Sequence, residues 1–204
     1  MVIALAVYAR ATLGLPQAVG VVIGFFGLLR SAEILRVRAC DVMLRGGATA
    51  LTTIRLLSTK SGREQLVQFA ANSVPELMLV FLLQQPGTSR YQPLFGFRKY
   101  SELYKLFLNF RVHFRLIIHL TPHSLRAGGA THLRLQGWQL AIITEIGRWE
   151  TMAVARTYID VVFTLLPECR LAEAAIAPTH EAALRPMLAD NFFNAVQGAV
   201  GHGR

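Results

Sequence analysis

At 204 residues the chain has room for one domain or slightly more, with a sizeable core. It is apolar for a soluble protein, at 53% hydrophobic residues and a mean hydropathy of +0.40. Its most apolar run, Leu15 to Leu29, is broken by Pro16, Gln17, Gly20, Gly24 and Gly27 and stops at Arg30, short of the roughly 20 apolar residues of a membrane span. Residues 1–9 lack a charged leader, which argues against a secretion signal, and Cys40 and Cys169 make neither a disulfide framework nor a metal cluster. The net charge of +9 is uneven: 16 of the 21 basic residues but only 5 of the 12 acidic ones lie in the first 144 positions. Eighteen of the basic residues are Arg, whose planar fork grips phosphate, so the first partner class to consider is a polyanion, nucleic acid above all.

In chain order, Met1 to Arg10 and Leu13 to Leu29 read as helices joined by a tight turn at Leu15-Pro16, the second running on through Arg30 to Val37. Arg30 and Glu33 are one turn apart and can touch. Gly46-Gly47 reads as a turn, Thr49 to Leu57 and Arg63 to Phe69 as strands around the turn 58–62, and Val42 to Leu44 as a third strand, with Lys60 at a hairpin tip. A short helix over Leu77–Leu83, capped by Ser73 with Pro75 in its first turn, precedes a polar loop from Gln84 to Pro93. Ser101 to Phe114 is an amphipathic helix whose aromatics at 104, 107 and 110 belong to the core, and Leu116 to Leu120 reads as a buried apolar segment. Thr121 as N-cap and Pro122 as the first helical residue place His123 and Arg126 at a helix start, where free N–H groups and the dipole favour an anion. Gly137 ends that helix, Gln139 to Ile146 forms the next, and Thr151 to Phe163 carries Tyr158. Beyond Pro167, an Ala-rich segment from Leu171 and a helix over Leu188–Val200 read as an appendage.

The stretch 121–160 combines a fixed cation, an imidazole, an indole N–H and a phenol that can bond to phosphorus. Its wording, His123-Ser-Leu-Arg126-Ala-Gly-Gly-Ala-Thr, then Gly147-Arg148-Trp149 and a Tyr nine positions on, resembles the C-terminal catalytic box of tyrosine recombinases, and most closely the versions in DIRS-type and Crypton-type mobile elements. Upstream, Leu29-Arg30-Ser-Ala-Glu33 resembles that family's first arginine motif, and Thr59-Lys60-Ser61-Gly62 its hairpin lysine. The resemblance covers about residues 20–165 and implies a mainly α fold with a small antiparallel three-stranded sheet. It implies a catalytic set of Arg30, Lys60, His123, Arg126, Trp149 and Tyr158, supported by Glu33, with Arg148 on the DNA backbone. It further implies strand transfer through a 3′-phosphotyrosyl link without metal or nucleotide cofactor, on double-stranded DNA, within a tetramer and away from membranes. The expected location is intracellular: the nucleus of a eukaryote, otherwise the cytoplasm or nucleoid.

Taken singly, each residue has a plainer explanation. Arg30 and Glu33 make an ordinary helical ion pair, Lys60 a solvated charge in a turn, and Trp149 and Tyr158 core aromatics; His132 is read as structural. The joint occurrence, in order, carries the reading. Only 29 residues precede Arg30, too few for the separate N-terminal domain with which the family clamps DNA, so the expected organisation is a catalytic domain at 1–165 and a helical appendage at 166–204. A DNA-binding remnant without turnover stays open as the alternative. So do a type IB topoisomerase, against which the Gly-Arg-Trp box argues, and a small membrane protein.

Overall fold

In the computed structural model the described residues are 1–46, 51–57 and 64–163, together with Pro167 and Arg170. Lys60 with its turn, Cys169 and the expected appendage helices lie outside them.

The fold is organised around α2 (Leu15–Phe26), which packs against α1 (Val2–Thr12), α3 (Ser31–Arg36), α4 (Val74–Leu83) and α6 (His123–Leu135). A helix apolar on every side must be covered on every side, and eight of its twelve residues are buried. Small residues let the neighbours close in. A Cβ on Gly20 would lie 2.7 Å from Phe95 Cβ, and one on Gly24 would lie 2.8 Å from Ile34 Cδ1. The loop before α5 (Tyr100–His113) therefore seats Phe95 and Phe97 in the core, and Leu94 N–H donates to Val37 O at 2.7 Å. Phe107 and Phe110 join that core as expected, and Tyr104 is half-buried. No described helix is long and apolar enough to cross a membrane.

Strands β1 (Val42–Met43), β2 (Thr52–Leu56) and β3 (Gln65–Phe69) form an antiparallel sheet in that order, with Ile54 opposite Val67 and Thr52 opposite Phe69. Ile54, Leu56, Val67 and Phe69 face inward with the period of two that a half-buried strand requires. Val67 and Phe69 abut Gly27 at the end of α2. Buried Glu76 ties the sheet to α4: its Oε1 accepts from Thr52 Oγ1 at 3.2 Å and pairs with Arg45 Nε at 2.7 Å, and its Oε2 accepts from Asn72 N–H at 2.7 Å.

The structure departs from the sequence expectation in several places, among them the turn expected at Leu15-Pro16, which falls at 13–14 so that both residues open α2. The helix expected to continue to Val37 stops at Gly27; Leu28 takes a left-handed φ of 48°, and α3 starts afresh after Arg30. The reason is tertiary, since Leu28 turns into a second, smaller apolar cluster with Ala130, Ile143 and Ile159. Within the segment expected to be buried, Leu116 and Ile118 are buried but Ile117 is 97% exposed. The N-cap of α6 is Pro122 in place of Thr121, whose N–H donates to Ser124 Oγ.

Candidate active site

Arg30 stands where the chain leaves the Leu28 corner and enters α3 as its N-cap, with φ −72° and ψ 152°. Glu33, three residues on, takes both ends of that residue. Its Oε2 accepts from Arg30 N–H at 2.7 Å and its Oε1 from Arg30 Nη1 at 2.9 Å. Glu33 is buried while the Arg30 side chain keeps 31% exposure, so the carboxylate anchors a guanidinium that still faces solvent.

Arg126 approaches from α6. A Cβ on Gly129 would lie 2.2 Å from the Phe25 carbonyl oxygen, so only glycine lets α6 come this close to the end of α2. The approach brings Arg126 Nη1 to Leu28 O, while Nη2 reaches Gly147 O at the end of α7 (Leu140–Ile146). The guanidinium is buried and lies 4.3 Å from the Trp149 ring centroid, a cation–π stack.

Past Gly147 the chain turns through Arg148, at a left-handed φ of 57°, to Trp149. A Cβ on Gly147 would sit 1.8 Å from Trp149 Cζ3. Gly147, the C-cap of α7, therefore also makes room for the indole. The helix over 152–163 is seated by buried Ala155 and Ile159. This leaves Tyr158 half-buried, its ring centroid 5.4 Å from that of Trp149 and 4.9 Å from that of His123. His123 and Tyr158 also border an apolar cavity of about 470 Å³ walled in part by Leu5, Phe107 and Phe110.

Five of the six expected residues, Arg30, His123, Arg126, Trp149 and Tyr158, thus meet in one cluster, with Glu33 behind them; the sixth, Lys60, is outside the described residues. Arg148 departs from its expected position on a DNA-facing surface. Its side chain is only 7% exposed and is directed inward, donating to Glu33 Oε2 at 2.8 Å, to Leu28 O at 3.1 Å, and to Gly27 O and Ile146 O at 3.2 Å each. The left-handed turn at 148 swings the side chain under the site, and nothing in the local sequence announces it. His132 packs tilted against Phe25 and edge-on to Phe26, consistent with a structural part.

Three guanidinium groups, Arg30, Arg126 and Arg148, surround one buried carboxylate, leaving a surplus of positive charge. Burial first, then the charges of Arg148 and Arg30, lowers the Arg126 pKa to about 9. Burial, then Glu33 and Arg30 in opposition, leaves the Arg148 pKa lowered as well. Burial, followed by the nearby Arg126, pushes His123 below the ordinary value of 6.5, so its imidazole is neutral and able to accept a proton at pH 7. A surplus of buried cations beside a neutral base and a phenol is an environment that favours an incoming anion such as a phosphodiester.

No family model matches the sequence, and no curated protein does. Solved structures match in fold. XerA recombinase superposes with a TM-score of 0.59 at 19% identity over 76% of this chain and 55% of that one. XerH recombinase bound to its difH substrate before cleavage superposes with a TM-score of 0.53 at 23% identity over 74% of this chain and 43% of that one. The XerH complex with palindromic difH after cleavage superposes with a TM-score of 0.53 at 23% identity over 83% of this chain and 46% of that one. The chain spans about half the length of these structures.

Proposed function

We propose that residues 1–165 form the catalytic unit of an enzyme that cuts and rejoins DNA strands in site-specific recombination or integration. The observation that carries this reading is Arg126, which interacts with both Arg30 and Tyr158 and stacks on Trp149, while the Tyr158 ring lies between Trp149 and His123. The shared fold supports it, as does the wording of the four motifs; the Gly147-Arg148-Trp149 box points to DIRS-type or Crypton-type elements.

In this mechanism Arg30 and Arg126 hold the non-bridging oxygens of the scissile phosphate and stabilise the charge that grows on them. The Tyr158 oxygen attacks phosphorus as its proton passes to His123. A P–O bond to tyrosine forms and the P–O5′ bond breaks, leaving a 3′-phosphotyrosyl strand and a 5′ oxygen that Lys60 protonates as general acid. The 5′ hydroxyl of another strand reverses the step. One phosphodiester replaces another of similar energy, so this chemistry needs no nucleotide cofactor. Trp149 packs the site and offers its indole N–H to a phosphate oxygen. Exchange between strands calls for a tetramer on double-stranded DNA, inside the cell or in the nucleus of a eukaryote, with residues 166–204 as an appendage to the catalytic unit.

A second reading, a DNA-binding remnant without turnover, draws support from Arg126. Each of its terminal nitrogens already donates to a backbone carbonyl and one face is covered by Trp149, so fewer of its five donors are open to a phosphate. One experiment separates the two readings. The full chain is incubated with a pool of nicked suicide duplexes of randomised sequence. Transfer of label to protein that Tyr158→Phe abolishes supports strand transfer, whereas salt-sensitive DNA binding with no covalent product supports the remnant.

A further inference from the structure

Among the described residues, Arg148 is bonded to, or next in the chain to, each hydrogen-bond partner of the Arg30 and Arg126 guanidinium groups. Arg30 Nη2 donates to the Arg148 carbonyl oxygen at 3.2 Å, and Arg30 Nη1 to Glu33 Oε1 at 2.9 Å. The other oxygen of Glu33 accepts from Arg148 Nη2 at 2.8 Å. Both holds on the Arg30 guanidinium therefore lead back to one residue. Arg126 is tied in by the same residue, since Leu28 O accepts from both Arg126 Nη1 and Arg148 Nη2, and Gly147, whose carbonyl takes Arg126 Nη2, is joined to Arg148 by a peptide bond.

The side-chain type matters. The Arg148 fork serves four acceptors drawn from three stretches of chain, namely Gly27 and Leu28, Glu33, and Ile146. Arginine offers five N–H donors in a fixed plane, whereas lysine has three on a single flexible point. A guanidinium that touched DNA would have to reach solvent; this one is 7% exposed, and its Nε is buried without a partner.

We propose that Arg148 is a positioning residue that sets the spacing and orientation of Arg30 and Arg126, through its own carbonyl and through Glu33, without touching DNA. The proposal rests on the strand-transfer reading, and two measurements keep the two apart. One is the rate of covalent transfer on the randomised suicide duplexes, set against DNA affinity and its salt dependence. The other is binding of orthovanadate, a phosphoryl-transfer mimic, read from Trp149 fluorescence in a Trp138→Phe background.

For Arg148→Met the transfer rate should fall about 100-fold, as for a small misplacement of catalytic groups, with DNA affinity and salt slope unchanged and orthovanadate bound at least about tenfold more weakly. Arg148→Lys should restore part of the rate. If Arg148→Met does not fold, Glu33→Gln, which cuts the link between the two arginines at nearly constant volume, should show the same split. A salt slope smaller by about one with normal transfer in the bound complex would mark Arg148 as a phosphate contact and overturn the proposal, as would transfer and orthovanadate binding that ignore the substitution. No covalent product from the unaltered chain sinks the strand-transfer reading, while the orthovanadate comparison still decides the positioning role. Failure of the unaltered chain to bind orthovanadate overturns the positioning proposal and leaves the strand-transfer reading to the labelled duplexes.

Discussion

A continuous apolar core runs through α1, α2, α4, α5 and the sheet, whereas a second, smaller cluster among the described residues joins Leu28, Ala130, Ile143 and Ile159, with Trp149 against it. The first region is held by area removed from water, about 1.5–3 kcal/mol for each large side chain fully buried. The second is stitched by guanidinium groups bonded to carbonyls at Gly27, Leu28, Ile146 and Gly147 and to Glu33. Such bonds are strong when complete and costly when one partner is removed. The large core therefore dominates folding stability, and the small one fixes where Arg126 and Arg148 are held.

The sharpest break in this comparison is Tyr158→Phe. Covalent transfer to protein, read by gel, should vanish, while the stability read from denaturant unfolding changes by no more than about 0.5 kcal/mol, since the ring and its packing remain. Next is His123→Gln, expected to slow transfer about 10²–10⁴-fold as loss of a proton acceptor does. The sign of the pH effect follows from the lowered His123 pKa. The neutral base is lost only as pH falls through that lowered value, so the acid limb of the rate profile of the unaltered chain should lie below 6.5 and should disappear in the variant.

A matched pair tests the two regions directly. Leu79 in α4 and Ile143 in α7 are both fully buried, and truncation of either to Ala should cost about 3 kcal/mol in denaturant unfolding. Only Ile143→Ala should also lower transfer per folded molecule, by roughly tenfold or more. The smallest effect is expected for Glu76→Gln. Losing the carboxylate that joins Arg45, Thr52 and the Asn72 N–H should cost about 2 kcal/mol of stability and leave transfer per folded molecule unchanged.

Much of the fold was legible because its signals are local. The α4, α5 and α7 spans and the three strands follow from periodicity, Pro placement and Gly stops, and the structure places their ends within a few residues of the expected ones. The break at Leu28 was not legible, because an apolar residue in a left-handed conformation carries no mark in sequence. Its cause is a cluster built from residues about a hundred positions away. The exposed Ile117 was hidden for a related reason: an apolar run does not say which of its residues are covered.

The same division holds for the site. The resemblance to the recombinase box named the expected residues, because it rests on residue types and their order along the chain and not on their arrangement in space. What those residues touch depended on contacts spanning 98 and 118 positions, from Arg126 to Leu28 and from Arg30 to Arg148. Arg148 shows the limit most clearly. From sequence an arginine beside a surface box faces solvent, and it took the left-handed turn after Gly147 and the buried carboxylate of Glu33 to direct it inward. Side-chain chemistry is a property of each residue by itself, but burial and hydrogen-bond partnership belong to pairs that only the folded chain brings together.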